Sequence, residues 1–159
     1  MRTKLAPASL FGDEDFRKTL GTVALTKGVY DLTHARHVRS LQAARSLGDS
    51  LVVGLATDES VRQAKGAGRP VLSFEERVEI LSAFACVDYV VAYDVGAVAE
   101  AVHAVRPSYL CASRFTFLSA AERADLESLG TELCTVERPP VRSTSDLIAS
   151  ILDHGKARS

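Results

Sequence analysis

The chain has 159 residues, with 19 basic and 20 acidic side chains and a net charge of −1. This length suits one domain, and the balanced charge gives no sign of a nucleic-acid-binding surface. No apolar run is long enough to span a membrane, and residues 1–16 lack the apolar core of a signal peptide, so we expect a soluble cytoplasmic protein with no membrane partner.

Strands and helices are predicted to alternate along the first half of the chain. Residues 1–21 form an N-terminal extension, in which "DEDFRKTL" is a short outer helix. A strand begins at Val23, Gly28 ends it, and the helix "HVRSLQAARSLG" follows, with Gly48 as its stop. The run "DSLVVGLATD" is rich in Val and Leu, as strands buried on both faces are.

The alternation continues in the second half. "SFEERVEILSAFA" is a helix with a capping box from Ser73 and Glu76, and the strand "VDYVVAYD" follows it. "VGAVAEAVHAVRP" and "SAAERADLESLG" are helices on either side of the strand "SYLCAS". "ELCTVE" is the last strand, and "STSDLIASILDHG" is the last helix, with Ser143 as its N-cap and Gly155 beyond its end.

Five strands with helices between them predict an α/β fold: a Rossmann-like, doubly wound, five-stranded parallel sheet with helices on both faces. Residues 22–155 form this domain, and residues 156–159 form a C-terminal tail. Ligands of such sheets bind beyond the carboxyl ends of the strands, near the point where strand order reverses. The turn "KGVYDLTHARH" is predicted to lie at such an end.

The three cysteines are far apart and lie in apolar segments. Cys86, Cys111 and Cys134 form no CxxC pair, so a metal site is not expected. Buried thiols in a reducing compartment are the expected state.

The turn after the first strand holds a pair of histidines. Gly28 leaves the backbone room for an anion to approach, and His34 and His37 stand three residues apart at a helix start. Two imidazoles in this position can donate hydrogen bonds to a phosphate whose charge grows in a transition state. The alternative is an ordinary structural histidine with a chance neighbour.

Two further segments carry cations or hydroxyls suited to anions. "VRSTSDLI" places Ser143 and Thr144 at a helix start, with Arg138 upstream, although plain N-capping would explain the hydroxyls equally well. "AKGAGRPVLSFEERVEI" carries Lys65, Arg69 and Arg77 around a glycine-rich loop, with which Lys65 could close over a nucleotide. Ordinary solvated charge is the alternative there.

Taken together, these segments resemble the cytidylyltransferase-like nucleotidyltransferase family. Within it they are most similar to the adenylyltransferase domain of ADP-heptose synthase and next to glycerol-3-phosphate cytidylyltransferase. "KGAGRPVLSFEER" matches the heptose enzymes' K-G-x-x-R-P-V with its Arg-containing helix, and "STSDL", with Arg138 upstream, matches the closing motif. The family's first motif, G-x-[FY]-D-x-x-H-x-G-H, is met by "GVYDLTHARH" at Gly28, Tyr30, Asp31, His34 and His37.

This resemblance implies an enzyme that transfers AMP or CMP from a nucleoside triphosphate to a small phosphorylated sugar or polyol, releasing pyrophosphate. It implies ATP or CTP and a phosphorylated small molecule as ligands, Mg²⁺ bound through the triphosphate rather than by the protein, and a homodimer. Nucleic acid is not an expected partner. The alternatives are a member that binds nucleotide or a protein partner without turnover, and a pantetheine-phosphate or nicotinamide-mononucleotide adenylyltransferase.

The resemblance also implies roles for individual residues. His34 and His37 would hold the α- and β-phosphates, and Lys65 would contact the α-phosphate or the incoming substrate phosphate. Arg138 would grip the β- and γ-phosphates with the amides and hydroxyls of Ser143 and Thr144. Arg77 would brace the nucleotide side or its loop. The remaining candidates for nucleotide binding are Lys27, Gly28, Tyr30, Asp31, Arg36, Arg114 and Phe115.

The chain departs from the family pattern at two places. Arg36 replaces the glycine of the first motif, so its side chain must turn to solvent, intrude on the nucleotide site or add a phosphate contact. After the fourth strand, residues 112–115 replace a K-G-G-D loop, which puts Arg114 near a phosphate and Phe115 where it could stack on a base. With Lys27, these changes add three cations, which we expect to favour a more anionic acceptor if they face one cleft.

Overall fold

A computed structural model describes residues 3–136 and 144–156 of the chain. Its five strands form one sheet in which every neighbouring pair is parallel. The strands are β1 (Val23–Gly28), β2 (Ser50–Ala56), β3 (Tyr89–Tyr93), β4 (Tyr109–Ala112) and β5 (Glu132–Thr135). The helices are α1 (Glu14–Leu20), α2 (Ala35–Arg45), α3 (Asp58–Lys65), α4 (Phe74–Ala83), α5 (Val98–Val105), α6 (Ala120–Ser128) and α7 (Thr144–Lys156), and a 3₁₀ turn spans Ala8–Gly12.

The strand order is β3-β2-β1-β4-β5, so the order reverses between β1 and β4. Alternate residues of β1 enter separate hydrophobic clusters, Val23 and Leu25 in one and Ala24 in the other, which shows that both faces of the sheet are covered. Helices α5 and α6 contribute to the first cluster, and α2 and α4 contribute to the second. The predicted doubly wound α/β fold is confirmed.

The segment before β1 is part of the core. Asp13 caps the predicted short helix α1 by accepting hydrogen bonds from the amides of residues 15 and 16. Phe11 is fully buried and Leu20 nearly so, both in the cluster that α5 covers. The backbone around Leu5 also pairs with Val90 of β3 in a parallel bridge. The segment therefore adds to the hydrophobic core rather than lying on the outside alone.

One helix is absent from the sequence prediction, and the end of another differs from it. No helix is predicted before the glycine-rich loop, whereas α3 occupies these residues and Lys65 is its last residue. The start of α3 carried a readable signal, since Thr57 caps the amide of Ser60 and acidic residues fill the first turn. Helix α7 runs through Gly155 rather than ending before it. The predicted N-cap Ser143 lies outside the described residues.

The remaining features of the fold concern the thiols and the membrane. Cys111 is buried, while Cys86 and Cys134 are half-buried, and all three are free. Burial raises the pKa of Cys111 to about 12, so this thiol stays protonated. Within the described part of the chain, no helix is both long and apolar enough to cross a membrane.

Gly48 sits where a side chain has no room. A Cβ built there would lie 2.5 Å from the carbonyl oxygen of Thr22, which already accepts hydrogen bonds from the amides of Asp49 and Ser50. We therefore expect Gly48→Ala to shift the entry into β1 and lower the free energy of unfolding by about 1–3 kcal/mol in urea denaturation. Gly12→Ala is the control, because a Cβ there meets nothing within 4 Å. Equal unfolding midpoints for the two variants would contradict this prediction.

Candidate active site

A cleft of about 690 Å³ opens at the carboxyl ends of β1 and β4, where strand order reverses. Its walls come from the end of β1, the start of α2, the end of α3, the segment after β4 and the start of α7. Two predicted site residues, Arg138 and Ser143, lie outside the described residues. Ten others line the cleft: Lys27, Gly28, Tyr30, Asp31, His34, Arg36, His37, Lys65, Arg114 and Thr144.

The paired histidines form the N-terminal capping box of α2. His34 is the N-cap, and its Nδ1 accepts a hydrogen bond from the amide of Arg36 at 3.3 Å. The Nδ1 of His37 accepts one from the amide of His34 at 3.4 Å, and the two ring centroids are 4.2 Å apart. Because each Nδ1 acts as an acceptor, each neutral ring carries its proton on Nε2. Both rings line the cleft.

Acid should weaken this cap. Burial and then the Arg36 guanidinium hold the pKa of His34 below its usual value, against the opposing effect of Asp146. Since the folded-state pKa is the lower one, protonation favours the unfolded chain. The stabilisation by His34 is therefore fully present above the unfolded-state pKa, at about pH 6.5, and is lost as the pH falls through the folded-state pKa.

The measurement is the urea unfolding midpoint between about pH 7.5 and about pH 5, compared with His34→Asn. Asparagine keeps the capping function without titrating, so the variant should lose less stability over this range. The same pH dependence in both proteins would contradict this role of His34.

Asp31 holds the chain together rather than offering a free ligand. Its buried carboxylate accepts hydrogen bonds from Arg69 Nε at 2.8 Å, the Val71 amide at 3.0 Å and the Leu72 amide at 3.1 Å. Burial opposes ionisation, but these amides and the Arg69 guanidinium outweigh it and hold the pKa of Asp31 below its usual value. The carbonyl oxygen of Asp31 also accepts a hydrogen bond from Thr144 Oγ1 at 2.9 Å, which ties α7 to the turn.

The turn between β1 and α2 is tightly packed. Tyr30 and Leu32 both have left-handed backbone angles, with φ of 52° and 47°, which side chains rarely adopt. A Cβ on Gly28 would lie 3.0 Å from the Tyr30 ring, so this glycine leaves room for the tyrosine. Burial raises the pKa of Tyr30 far above its usual value, and the phenol is therefore neutral.

Arg77 does not line the cleft, which corrects its prediction as a nucleotide-binding residue. Its side chain is fully buried. Its Nη1 donates to the carbonyl oxygen of Val29 at 2.6 Å, and its Nη2 donates to Asp58 Oδ1 at 2.6 Å. Further bonds go to the carbonyl oxygens of Ala56 and Leu72. Arg77 therefore braces the loops behind the cleft, which agrees with the second of its two expected roles.

The segment after β4 places a different phenylalanine in the cleft. Phe115, predicted to stack on a base, is not among the residues that line the cleft; it is half-buried against the hydrophobic core, and Arg123 donates to its carbonyl oxygen. Phe117 lines the cleft instead, and the Nζ of Lys27 lies 3.6 Å above its ring centroid in a cation–π contact. Nothing in the sequence distinguishes which of the two rings faces the ligand side.

The three cations that depart from the family pattern all line this one cleft. Arg36 is half-buried there, which rules out the first of its three expected fates, a side chain turned fully to solvent. Arg114, which follows β4, lines the cleft with an exposed side chain. Arg69, one of the cations around the glycine-rich loop, also lines the cleft.

The cleft suits an anion better than a protein-bound metal. Of the described residues that line it, five are basic, and Asp31 is the one carboxylate. That carboxylate is already engaged by three donor groups. In residues 3–136 and 144–156, no group of three His, Cys, Asp or Glu side chains could hold a metal ion.

Solved structures with the same fold support this architecture. A lipopolysaccharide core biosynthesis protein from Thermoplasma volcanium GSS1 matches 75% of this chain and 98% of its own, with a TM-score of 0.66 and 24% identity. Pantoate-beta-alanine ligase from Francisella tularensis matches 99% of this chain and 80% of its own, with a TM-score of 0.56 and 11% identity. At these identities the similarity concerns the fold alone.

Sequence comparisons are more specific. The bifunctional protein HldE of Syntrophotalea carbinolica is 41% identical over 133 residues, which are 83% of this chain and 27% of that protein. HldE of Geobacter sulfurreducens is 40% identical over 131 residues, with 82% and 27% coverage. The chain thus spans about a quarter of the length of these relatives. A model of the cytidylyltransferase-like family matches residues 25–153, from β1 into α7 and across the whole cleft. The chain therefore belongs to the cytidylyltransferase-like family of nucleotidyltransferases.

Proposed function

We propose that this chain transfers AMP or CMP from a nucleoside triphosphate to a small phosphorylated sugar or polyol and releases pyrophosphate. The observation that carries the proposal is the cleft itself, in which the histidine capping box faces a surplus of basic side chains. Such a lining attracts ligands that bring several negative charges at once. A triphosphate and a phosphorylated acceptor together bring that charge.

The reaction needs alignment and charge neutralisation more than proton transfer. A phosphate oxygen of the acceptor, already ionised at neutral pH, attacks the α-phosphorus of the triphosphate. A new P–O bond forms as the bond to the β-phosphate oxygen breaks, and the electron pair leaves with pyrophosphate. Because no proton must be removed, the contribution of the protein is to hold the reactants in line and to stabilise charge.

The residues of the cleft are suited to these tasks. The Nε2–H groups of His34 and His37 would donate to oxygens of the α- and β-phosphates, where charge builds up as the bond breaks. The amides at the start of α7, at Thr144 and Ser145, would bind the terminal phosphates at a helix N-terminus. Lys65 would neutralise the α-phosphate or the incoming phosphate. The expected contributions of Arg138 and Ser143 remain predictions.

Magnesium would enter with the triphosphate. The single carboxylate among the described lining residues is held by Arg69 and two amides, so the protein side chains do not offer Mg²⁺ a ligand set of their own. Phosphate oxygens are the ligands that this ion commonly uses in such sites. Bound in that way, Mg²⁺ would neutralise charge on the triphosphate.

A phosphorylated sugar or polyol is the acceptor class that the cleft favours. Ser40, Ser113 and Thr116 place hydroxyl groups among the lining residues, and these can both donate to and accept from the hydroxyls of a polyol. The resemblance of the "KGAGRPVLSFEER" motif to the heptose enzymes supports the same class. The base, the homodimer and the cytoplasmic location remain expectations.

One observation favours a second candidate, a protein that binds nucleotide without turnover. Arg36 lies half-buried in the cleft, next to the histidines that would hold the α-phosphate. A guanidinium there could occupy the space of a reacting group instead of adding a phosphate contact.

Pyrophosphate release separates the two candidates. The protein is incubated with Mg²⁺, each nucleoside triphosphate and a panel of sugar and polyol phosphates, and Lys65→Met serves as the impaired control. We expect pyrophosphate release that requires one particular acceptor and falls sharply in Lys65→Met. Saturable binding of a triphosphate, with no pyrophosphate released from any pair of triphosphate and acceptor, would favour a protein that binds nucleotide without turnover.

A further inference from the structure

Arg69 stands beside Lys65 on the wall of the cleft that follows β2. Lys65 is the last residue of α3, and the chain then turns through Gly66, which has a φ of 94°. A hydrogen bond from the Arg69 amide to the Gly66 carbonyl oxygen at 3.1 Å closes this turn. The Arg69 side chain is only 17% exposed, yet it lines the cleft. A guanidinium that is mostly buried in a ligand cleft is expected to have a structural or a binding role.

Asp31 holds this guanidinium in place. The ion pair is made through Arg69 Nε at 2.8 Å, and the carboxylate is 1% exposed. The same carboxylate accepts the amides of Val71 and Leu72, so it binds the backbone just after Arg69 as well as the side chain. The Nε end of the guanidinium is therefore held in place before any ligand arrives, as in a preorganised anion site.

The charges on this wall do not cancel. Lys65 and Arg69 are two cations, and Asp31 is the one carboxylate beside them. Partial burial and then the Arg69 charge lower the pKa of Lys65, while Asp31 raises it. Like charges that share a partly desolvated wall repel each other unless an anion lies between them. A phosphate dianion would remove this repulsion.

The other walls of the cleft suit the nucleotide. The N-termini of α2 and α7 suit the triphosphate, and the Phe117 ring lines the wall after β4 with the Lys27 ammonium above it. This arrangement leaves the wall formed by the end of α3 for the second reactant.

We propose that Arg69, together with Lys65, binds the phosphate of the acceptor, and that Asp31 is a positioning residue that orients Arg69 for this contact. The inference rests on the proposed function and deepens it by assigning an acceptor subsite for a phosphomonoester dianion. Arg69 would neutralise that phosphate and aim its oxygen at the α-phosphorus.

Inorganic phosphate is the probe, and the full chain is the protein. Phosphate binding is followed by the amide NMR shifts of Val71 and Leu72, with and without the α,β-methylene analogues of ATP and CTP, which block transfer. Loss of a charge-assisted contact should weaken phosphate binding about tenfold in Arg69→Gln and leave binding of the analogues unchanged. The matched control is Arg62→Gln, which removes an exposed arginine of α3 that pairs with Glu59. It should change neither affinity.

Asp31→Asn tests the positioning role with a result that simple electrostatics would not give. Removing a negative charge from the cleft should by itself tighten phosphate binding. If Asp31 orients Arg69, the variant should bind phosphate more weakly instead. The double variant with Arg69→Gln should then be no weaker than Arg69→Gln alone, because both changes remove the same contact.

Four outcomes would overturn the inference in whole or in part. Unchanged phosphate affinity in Arg69→Gln removes Arg69 from the subsite, and an equal loss for the analogues assigns it to the triphosphate. Tighter phosphate binding in Asp31→Asn, or additive losses in the double variant, removes the positioning role. If neither analogue binds the unmodified protein, the proposed function fails, and the phosphate titrations still decide the subsite.

Discussion

Replacing Arg77 with leucine should lower the free energy of unfolding by about 3–5 kcal/mol, the usual cost of breaking a buried ion pair by removing one partner. The guanidinium is fully buried and Asp58 is 26% exposed, so the carboxylate left behind is only partly rescued by water. The carbonyl oxygens of Val29, Ala56 and Leu72 would lose their donor as well. Urea denaturation at neutral pH measures the effect.

The reason for so large an effect is the number of segments that meet at this side chain. Val29 follows β1, Ala56 ends β2, Asp58 begins α3 and Leu72 lies just before α4. Arg62→Leu is the control, because its exposed ion pair with Glu59 should be worth less than about 1 kcal/mol. Similar unfolding midpoints for the two variants would show that Arg77 does not brace the cleft.

Replacing His34 with asparagine should lower kcat about 10²- to 10³-fold while leaving the fold intact. Asparagine caps helices well, so α2 keeps its N-cap. Its shorter side chain cannot present a donor where the imidazole Nε2–H lies, so the stabilisation of phosphate charge in the transition state is lost.

Initial rates of pyrophosphate release measure this effect, with the triphosphate and acceptor pair that supports turnover. Urea denaturation at neutral pH, where His34 is neutral, serves as the check on folding. His34→Ala is the comparison, because it should lose both the rate and about 1 kcal/mol of stability. A rate for His34→Asn within a few-fold of the unmodified protein would show that the histidine only caps the helix.

Much of the site could be predicted from local sequence. The residues from Lys27 to His37 follow one strand and start one helix, so their common place at the mouth of the sheet follows from the βα pattern alone. Thr144 was predicted on the same ground, as a residue at a helix start. These residues line one cleft because neighbours in sequence are neighbours there, and their roles toward a ligand stay predictions.

The remaining features depend on contacts between distant parts of the chain. Asp31 and Arg69 are 38 residues apart. No local pattern indicates that a carboxylate in the first turn forms an ion pair with an arginine in a loop after the second strand. Arg77 has Asp58 as its partner on α3, a helix that the sequence analysis did not predict. The choice between Phe115 and Phe117 depends on how the segment after β4 folds against the core.

Binding of nucleoside triphosphates tests the central claim most directly, because it needs no knowledge of the acceptor. ATP, CTP, GTP and UTP are each titrated with Mg²⁺ into the folded protein by calorimetry. The proposed function predicts saturable and selective binding of ATP or CTP, despite Arg36 in the cleft. Binding of none of the four by a folded sample would contradict a nucleotide site at the histidine capping box.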